Sequence, residues 1–354
     1  MSYSVVPADL VRDRETILDV WRRNIFWCTN EEHERRLDWY QHNPCGPTRM
    51  FLARHNESGQ AIGTFGIVAR HICIQGEMLT AGCVADMAVN AEHRSLQPAL
   101  HLAEAVTDCL SLEMPLLWGY PNQVAAGVVR RVGFHDEGQG ETYTRRLSLI
   151  SCLRQAVKSK SPVKAASIML AFMELAVLEP LRKSPTLRFL SASHPALKQL
   201  LGSPRLRAPS AVVRTPEFLS WVYEHSPYRK YVLLGSPAGS GQELRCAAFC
   251  YAKGGIAYID DLVYQEDKEA LEELFSSIIH WARAENTAEI RMDTVNADRF
   301  LVEVLLRFNF IPHKARPLVV LRHSSLPPDF RLFGRAESEQ VAAQEFPEPL
   351  VGRW

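Results

Sequence analysis

The stretch Val84 to Val106, VADMAVNAEHRSLQPALHLAEAV, holds the residues best spaced for chemistry. A short apolar run with a single carboxylate, Asp86, leads into a polar turn carrying Arg94. A proline-opened amphipathic helix follows. A strand that enters a helix through such a turn can hold an anion, because the first backbone N–H groups of the helix have no intrahelical partner and its dipole favours negative charge there. Phosphate loops of this kind are usually rich in glycine, and this one has none. Pro98 suits the first helical turn, where its missing N–H costs nothing. Gln97 puts a side chain where glycine would let a phosphate approach, although helical φ/ψ at that residue would leave its N–H available.

The elements around this stretch occur twice. LDWYQHNP (37–44) resembles LSWVYEHSP (219–227), VADMAVNAE (84–92) resembles IDDLVYQED (259–267), and VVRRVGF (128–134) resembles VLLRFNF (304–310). The three landmarks keep one order and are separated by 182, 175 and 176 residues. In the first copy a strand at Tyr3 and two helices precede strands over 49–56 and 60–76. The opening strand follows, then the helix from Pro98, a strand over 115–120, a helix over 123–132 and a closing strand over 141–149. The second copy repeats strand, strand, strand, helix, strand, helix. A meander feeding strand–helix–strand–helix is a mixed α/β sheet with helices on its faces. The domains expected are 1–150, a basic and partly helical linker at 151–207, a second domain at 208–325, and a polar tail at 326–354.

Composition excludes several classes. The 354 residues carry 40 basic and 40 acidic side chains, so the chain lacks the charge excess of a general nucleic-acid binder. Eight cysteines and twelve histidines are scattered without ligand spacing, which gives no metal site and suits a reducing, cytoplasmic compartment. The most apolar run, 165–178, is shorter than the roughly 20 residues that span a bilayer. Together with the basic stretch from 154 it reads either as peripheral membrane contact or as a buried linker helix. Trp39 and Trp221 fall at matching places on amphipathic helices and are expected in the core. His42, His93 and His135 are isolated and read as surface or satisfied core residues.

Val89-Asn90-Ala91-Glu92-His93-Arg94 and the following Ser95-Leu96-Gln97-Pro98-Ala99 resemble the signature of the Gcn5-related N-acetyltransferase superfamily, in which a strand ending in V-x-P-E-x-R enters a pyrophosphate loop. GYPNQVAAGVVRRVGF resembles the family's later block, an asparagine followed by a helix ending in GF. The spaced W-Y…NP-G at 39–46 is similar to a tandem bacterial subgroup often linked to polysaccharide biosynthesis. The resemblance implies two tandem acetyltransferase-like domains joined by a helical linker. Acetyl-CoA or another acyl-CoA would be the co-substrate, without a metal, and a small molecule or sugar precursor the acceptor. It places the cofactor on Met87, Val89, Arg94, Ser95, Leu96, Gln97, Ala99 and Asn122, with a backbone oxyanion donor within Met87 to Val89. A relic loop that only caps its helix is the alternative at this place.

In the second copy the loop positions read Glu269-Ala270-Leu271-Glu272-Glu273, and three carboxylates would repel a pyrophosphate. Asp86 is the candidate general base or substrate anchor, against a role in capping backbone groups where strands splay. The family's proton donor to sulfur falls on Val129, so Tyr120 is the candidate acid, against a core aromatic. Asn122 is either a pantetheine contact or a helix N-cap. The Asp260–Asp261 pair could mark an acceptor site. Two functional readings stand, an acyltransferase and an inactive duplicated binding module; a third, aminoacyl transfer from tRNA, is disfavoured by the neutral charge.

Overall fold

The computed structural model describes residues 2–26, 28–74, 76–147, 189–203, 212–237, 243–295 and 297–326. The linker helix and basic stretch expected over 154–178, and the tail beyond Leu326, lie outside these residues.

The chain forms two compact units. Unit 1 comprises 1–140, 209–228 and 316–354; unit 2 comprises 141–208 and 229–315. Each unit therefore takes a segment from the other repeat, because β6 (His135–Arg146) and β12 (Ile311–Arg322) each pass from one unit into the other.

In unit 1, β1 (Tyr3–Ala8), β2 (Arg49–His55), β3 (Ala61–Ile74) and β4 (Glu77–Val89) pair antiparallel in that order. β4 then lies parallel to β5 (Leu116–Gly119), and Val319 to Arg322 of β12 pair antiparallel with β5. The parallel step requires a crossover, which is α3 (Leu96–Thr107). Apolar side chains of α3 and of α4 (Gln123–Arg131), among them Leu102, Val106, Val128 and Val129, close over Phe65, Ile67 and Leu117 of the sheet. On α1 (Arg14–Asn24), Ile17, Leu18, Val20 and Trp21 are buried; α2 (Asn30–Gln41) starts from a capping box of Thr29 and Glu32. β4 begins at Glu77, seven residues before the strand expected from the sequence, because Glu77 to Gly82 pair with Ala69 to Ile74 across a hairpin.

Unit 2 repeats the plan. β7 (Phe189–Leu190), β8 (Val232–Pro237), β9 (Leu244–Lys253) and β10 (Ile256–Tyr264) pair antiparallel, and β10 is parallel to β11 (Glu289–Val295). The helix α5 (Pro195–Leu201) follows β7, α7 (Lys268–Ala284) is the crossover, and α8 (Arg299–Arg307) follows β11. Their core runs through Leu271, Phe275, Ile278, Leu305 and Phe310.

The duplication is visible atom by atom. After α4, Gly133 takes φ +100°, and after α8, Asn309 takes φ +55°. Both ends are Schellman motifs: Phe134 N–H donates to Val129 and Phe310 N–H to Leu305. Asn is the non-glycine residue that best tolerates this conformation, so GF in one copy matches NF in the other. Within unit 1, Trp221 lies on a π-turn over Ser220–Glu224 that extends the short helix α6 (Pro216–Leu219). Its ring stacks on that of Trp39 at 3.9 Å and 5°, and each indole N–H donates to the other residue's carbonyl, at 2.7 and 2.9 Å. Both tryptophans are buried.

Candidate active site

β4 and β5 pair only through Gly82–Leu117 and Cys83–Trp118. Beyond Cys83 β4 runs on to Val89 with no described strand on that side, while β5 ends at Gly119, so the two strands part into a wedge. α3 begins just past the end of β4, and α4 just past the end of β5. Neither helix carries an acidic residue in its first turn, so both positive dipole ends lie at the mouth without opposing charge.

The loop residues take these places. Ser95 is the extended N-cap of α3 and its hydroxyl caps nothing, which leaves the first N–H groups of the helix unmet by any described side chain. Leu96 and Gln97 occupy the first two helical positions with exposed side chains, and a backbone N–H in this first turn has no intrahelical partner. Pro98 is buried, and Ala99 packs against the sheet. Exposed Arg94 donates from Nε to the Val89 carbonyl at 3.1 Å and from Nη2 to Asn24 Oδ1 at 3.2 Å, leaving Nη1 for an anion. Met87 and Val89 pack their side chains on the unit 1 core. Replacing Arg94 with Ala should weaken acyl-CoA binding by roughly 1.5–3 kcal/mol, about 10- to 150-fold, the worth of a charge-assisted phosphate contact; titration calorimetry measures it, and unchanged affinity would move the pyrophosphate elsewhere.

Asn122 is the N-cap of α4, its Oδ1 accepting from Ala125 N–H at 2.9 Å. Val129 is core. Tyr120 is buried directly after β5, on the opposite wall of the wedge from β4. His42 Nδ1–H donates to the Asp38 carbonyl, His93 meets the Tyr3 hydroxyl, and His135 lies 3.9 Å from Glu137. None of the three stands on the wedge strands β4 or β5.

Asp86 has the most distinctive environment. It lies in a bulge of β4, between the pairs Gly66–Ala85 and Thr64–Ala88, and takes φ +58°. The other two described non-glycine residues with positive φ, Asn286 and Asn309, follow helices; Asp86 alone stands in a strand. Its carboxylate pairs with Arg36 Nη2 at 2.7 Å and accepts from the Tyr40 hydroxyl at 2.6 Å, and its carbonyl accepts from Thr64 Oγ1 at 2.9 Å. Trp21 Nε1 donates to Thr64 in turn. Both side chains of the ion pair are nearly inaccessible, at 2% and 4%. Burial is the largest influence and would lower the Arg36 pKa, but Asp86, with Tyr228, Tyr40 and Cys28 adding to it, outweighs burial and holds the guanidinium charged. The rings of Trp21, Tyr40 and Tyr228 lie 5.8, 5.3 and 5.4 Å from that guanidinium. Gly63, which pairs with Val89, has no room for a Cβ, which would stand 2.8 Å from the Ala88 carbonyl.

Arg36 and Tyr40 escape a reading of the sequence alone. Their one signal is the i, i+4 spacing that places them on the same face of α2. Two neighbours are also informative. Burial, opposed by the Arg36 cation, pushes the Cys28 thiol up to about 12, so it is protonated and no nucleophile at neutral pH. Burial, helped by Arg36, lowers His33 below its ordinary 6.5. The unfolded chain then takes up a proton at this site before the native state does, so stability should fall as pH drops below 6.5. Denaturant titrations from pH 7.5 downward should show a shallower loss in His33→Gln; an identical slope would remove His33 from the acid response.

Unit 2 closes the equivalent place. α7 is capped by Asp267 and has Glu269 in its first turn. Glu272 pairs with Arg307 and Glu273 accepts from Ser236, so these carboxylates already have protein partners. The hydroxyl of Tyr264, at the end of β10, donates to Asp298, the N-cap of α8, and thereby ties the two sides of that wedge together. Of the Asp260–Asp261 pair, Asp260 accepts from Tyr231 at 2.7 Å with Arg229 at 3.7 Å, and Asp261 caps the Leu262 N–H.

No protein-family model and no curated protein matches the sequence. Solved structures do match in fold. A protein from Enterococcus faecalis described as a probable N-acyltransferase aligns with TM-score 0.64 and 11% identity over 91% of this chain and 73% of that one. A Gcn5-related N-acetyltransferase from Anabaena variabilis gives 0.61 and 11% over 90% and 72%. Saccharomyces cerevisiae N-myristoyltransferase with bound myristoyl-CoA gives 0.55 and 13% over 95% and 83%. The chain has the Gcn5-related N-acetyltransferase fold in duplicate, a mixed α/β architecture. Among the described residues no cluster could hold a metal ion, and no helix is long and apolar enough to cross a membrane.

Proposed function

We propose that the protein is an acyltransferase that moves an acyl group, acetyl in the first instance, from coenzyme A to an amine or hydroxyl of a small-molecule or sugar acceptor, using unit 1 alone. The observation that carries this reading is the β4–β5 wedge, whose mouth has two acid-free helix N-termini and Arg94. The pyrophosphate would lie on the N–H groups that open α3, and the thioester along the unpaired edge of β4. As the acceptor attacks, the carbonyl oxygen gains charge and takes a hydrogen bond from a backbone N–H within Met87 to Val89. Collapse of the tetrahedral intermediate expels the thiolate, and Tyr120 supplies its proton. Asp86 is engaged by Arg36 and Tyr40, so the acceptor nucleophile loses its proton to water rather than to this carboxylate.

The inactive-module reading is favoured by Val129, a core side chain where the family places its acid. Thiol release from acetyl-CoA against a panel of amines, alcohols and amino sugars separates the two. Release that depends on one acceptor class supports the enzyme; binding without acceptor-dependent release across the panel supports the module.

A further inference from the structure

We infer that Arg36 and Tyr40 are positioning residues which hold Asp86 in its left-handed conformation, fix the bulge of β4, and so aim the backbone of Met87 to Val89 into the wedge. The inference rests on the proposed function for what the wedge receives, but the clamp itself is a matter of geometry. A positive φ in mid-strand costs free energy unless the surroundings impose it. Here every polar group of Asp86 outside the strand ladder is engaged: one carboxylate oxygen by Arg36, the other by Tyr40, and the carbonyl by Thr64. Arg36 Nε and Nη2 also donate to the Tyr40 oxygen, at 3.0 and 2.8 Å, so the two residues act as one unit on one helix. A bulge re-aims the residues that follow it. Those residues are Met87 to Val89, on the edge of β4 that no described strand covers.

Unit 2 supports a positioning role over a chemical one. There too the register shifts in the strand before the crossover helix, between Ile259 and Asp261, and the bulged residue is a buried aspartate held by an arginine and a tyrosine, Arg229 and Tyr231. The partners come from the segment before β8 rather than from a helix, so the same trio is assembled from different places. It recurs where the wedge is tied shut by Tyr264 and Asp298, which fits a device that shapes a strand.

The experiment uses the full chain and two variants, Tyr40→Phe, which deletes one hydroxyl, and Arg36→Gln. Amide exchange over 85–89 is followed beside a control segment in the same unit, β2 over 49–55. Acetyl-CoA carrying a ¹³C carbonyl reports the hydrogen bond to its thioester through the infrared band. In the wild type the band should move to lower frequency on binding. In both variants the exchange at 85–89 should quicken about tenfold with the control unchanged, the band should return to its free position, and affinity should change by less than about threefold because the pyrophosphate contacts remain. A purely structural role would quicken exchange in the control as well and leave the band shifted in the folded fraction. Wild-type exchange and an unmoved band in Tyr40→Phe would overturn the inference. If Arg36→Gln does not fold, Tyr40→Phe decides alone. If the wild type binds no acetyl-CoA, the proposed function fails, and exchange at 85–89 still decides the clamp.

Discussion

Asp86→Ala should be the most damaging single substitution in unit 1. It leaves Arg36 buried and uncompensated among Trp21, Tyr40 and Tyr228, which costs about 3–5 kcal/mol, and it forces alanine into φ +58°, which costs about 1–2 kcal/mol more. Against a domain stability of about 5–15 kcal/mol, much of the native population is lost. Asp86→Gly separates the two costs, since glycine takes this φ freely but still abandons Arg36. It should therefore recover only about 1–2 kcal/mol of the loss. Denaturant unfolding of the variants measures both. Equal stability of Asp86→Ala and wild type would mean that the ion pair holds nothing in place.

Tyr120→Phe should have the largest effect on chemistry with the smallest on structure. The thiol of coenzyme A is about as acidic as cysteine, with a pKa near roughly 8.5, so near neutral pH a proton donor helps the thiolate leave without being indispensable. Removing a positioned acid costs about 10²–10⁴ in turnover, whereas deleting a spectator hydroxyl costs little. Tyr120 is buried at the end of β5, with Val129 withdrawn into the core. Turnover should therefore fall at least about tenfold while acyl-CoA affinity is nearly unchanged. A rate within about twofold of wild type would take Tyr120 out of the mechanism and leave the thiolate to be protonated by water.

Much of this was legible in the sequence because it is local. The meander, the crossover helices and the turns follow from apolar periodicity, and the repeat showed itself through paired tryptophans, which stack on each other, and through GF–NF ends, which both take a left-handed turn. Arg94 and the α3 N-terminus follow from a strand–turn–helix pattern within about one turn of helix. What stayed hidden is long-range. Asp86 is the only carboxylate in its short apolar run, which makes it a candidate base or substrate anchor as much as a capping group; its partners are on a helix some fifty residues earlier, Arg36 Nη2 standing 2.7 Å away. The exchange of β6 and β12 between units was equally out of reach, since period-2 patterning specifies a strand but not its neighbour. The bulge that makes φ positive has no residue signature when the residue is not glycine.

The measurement that bears most directly on the account is calorimetric titration of the full chain with acetyl-CoA. The open wedge of unit 1 and the capped, acid-bearing and bridged equivalent in unit 2 predict saturable binding of one acetyl-CoA per chain, weakened in Arg94→Ala. Two bound molecules per chain, or no binding at all, would contradict it.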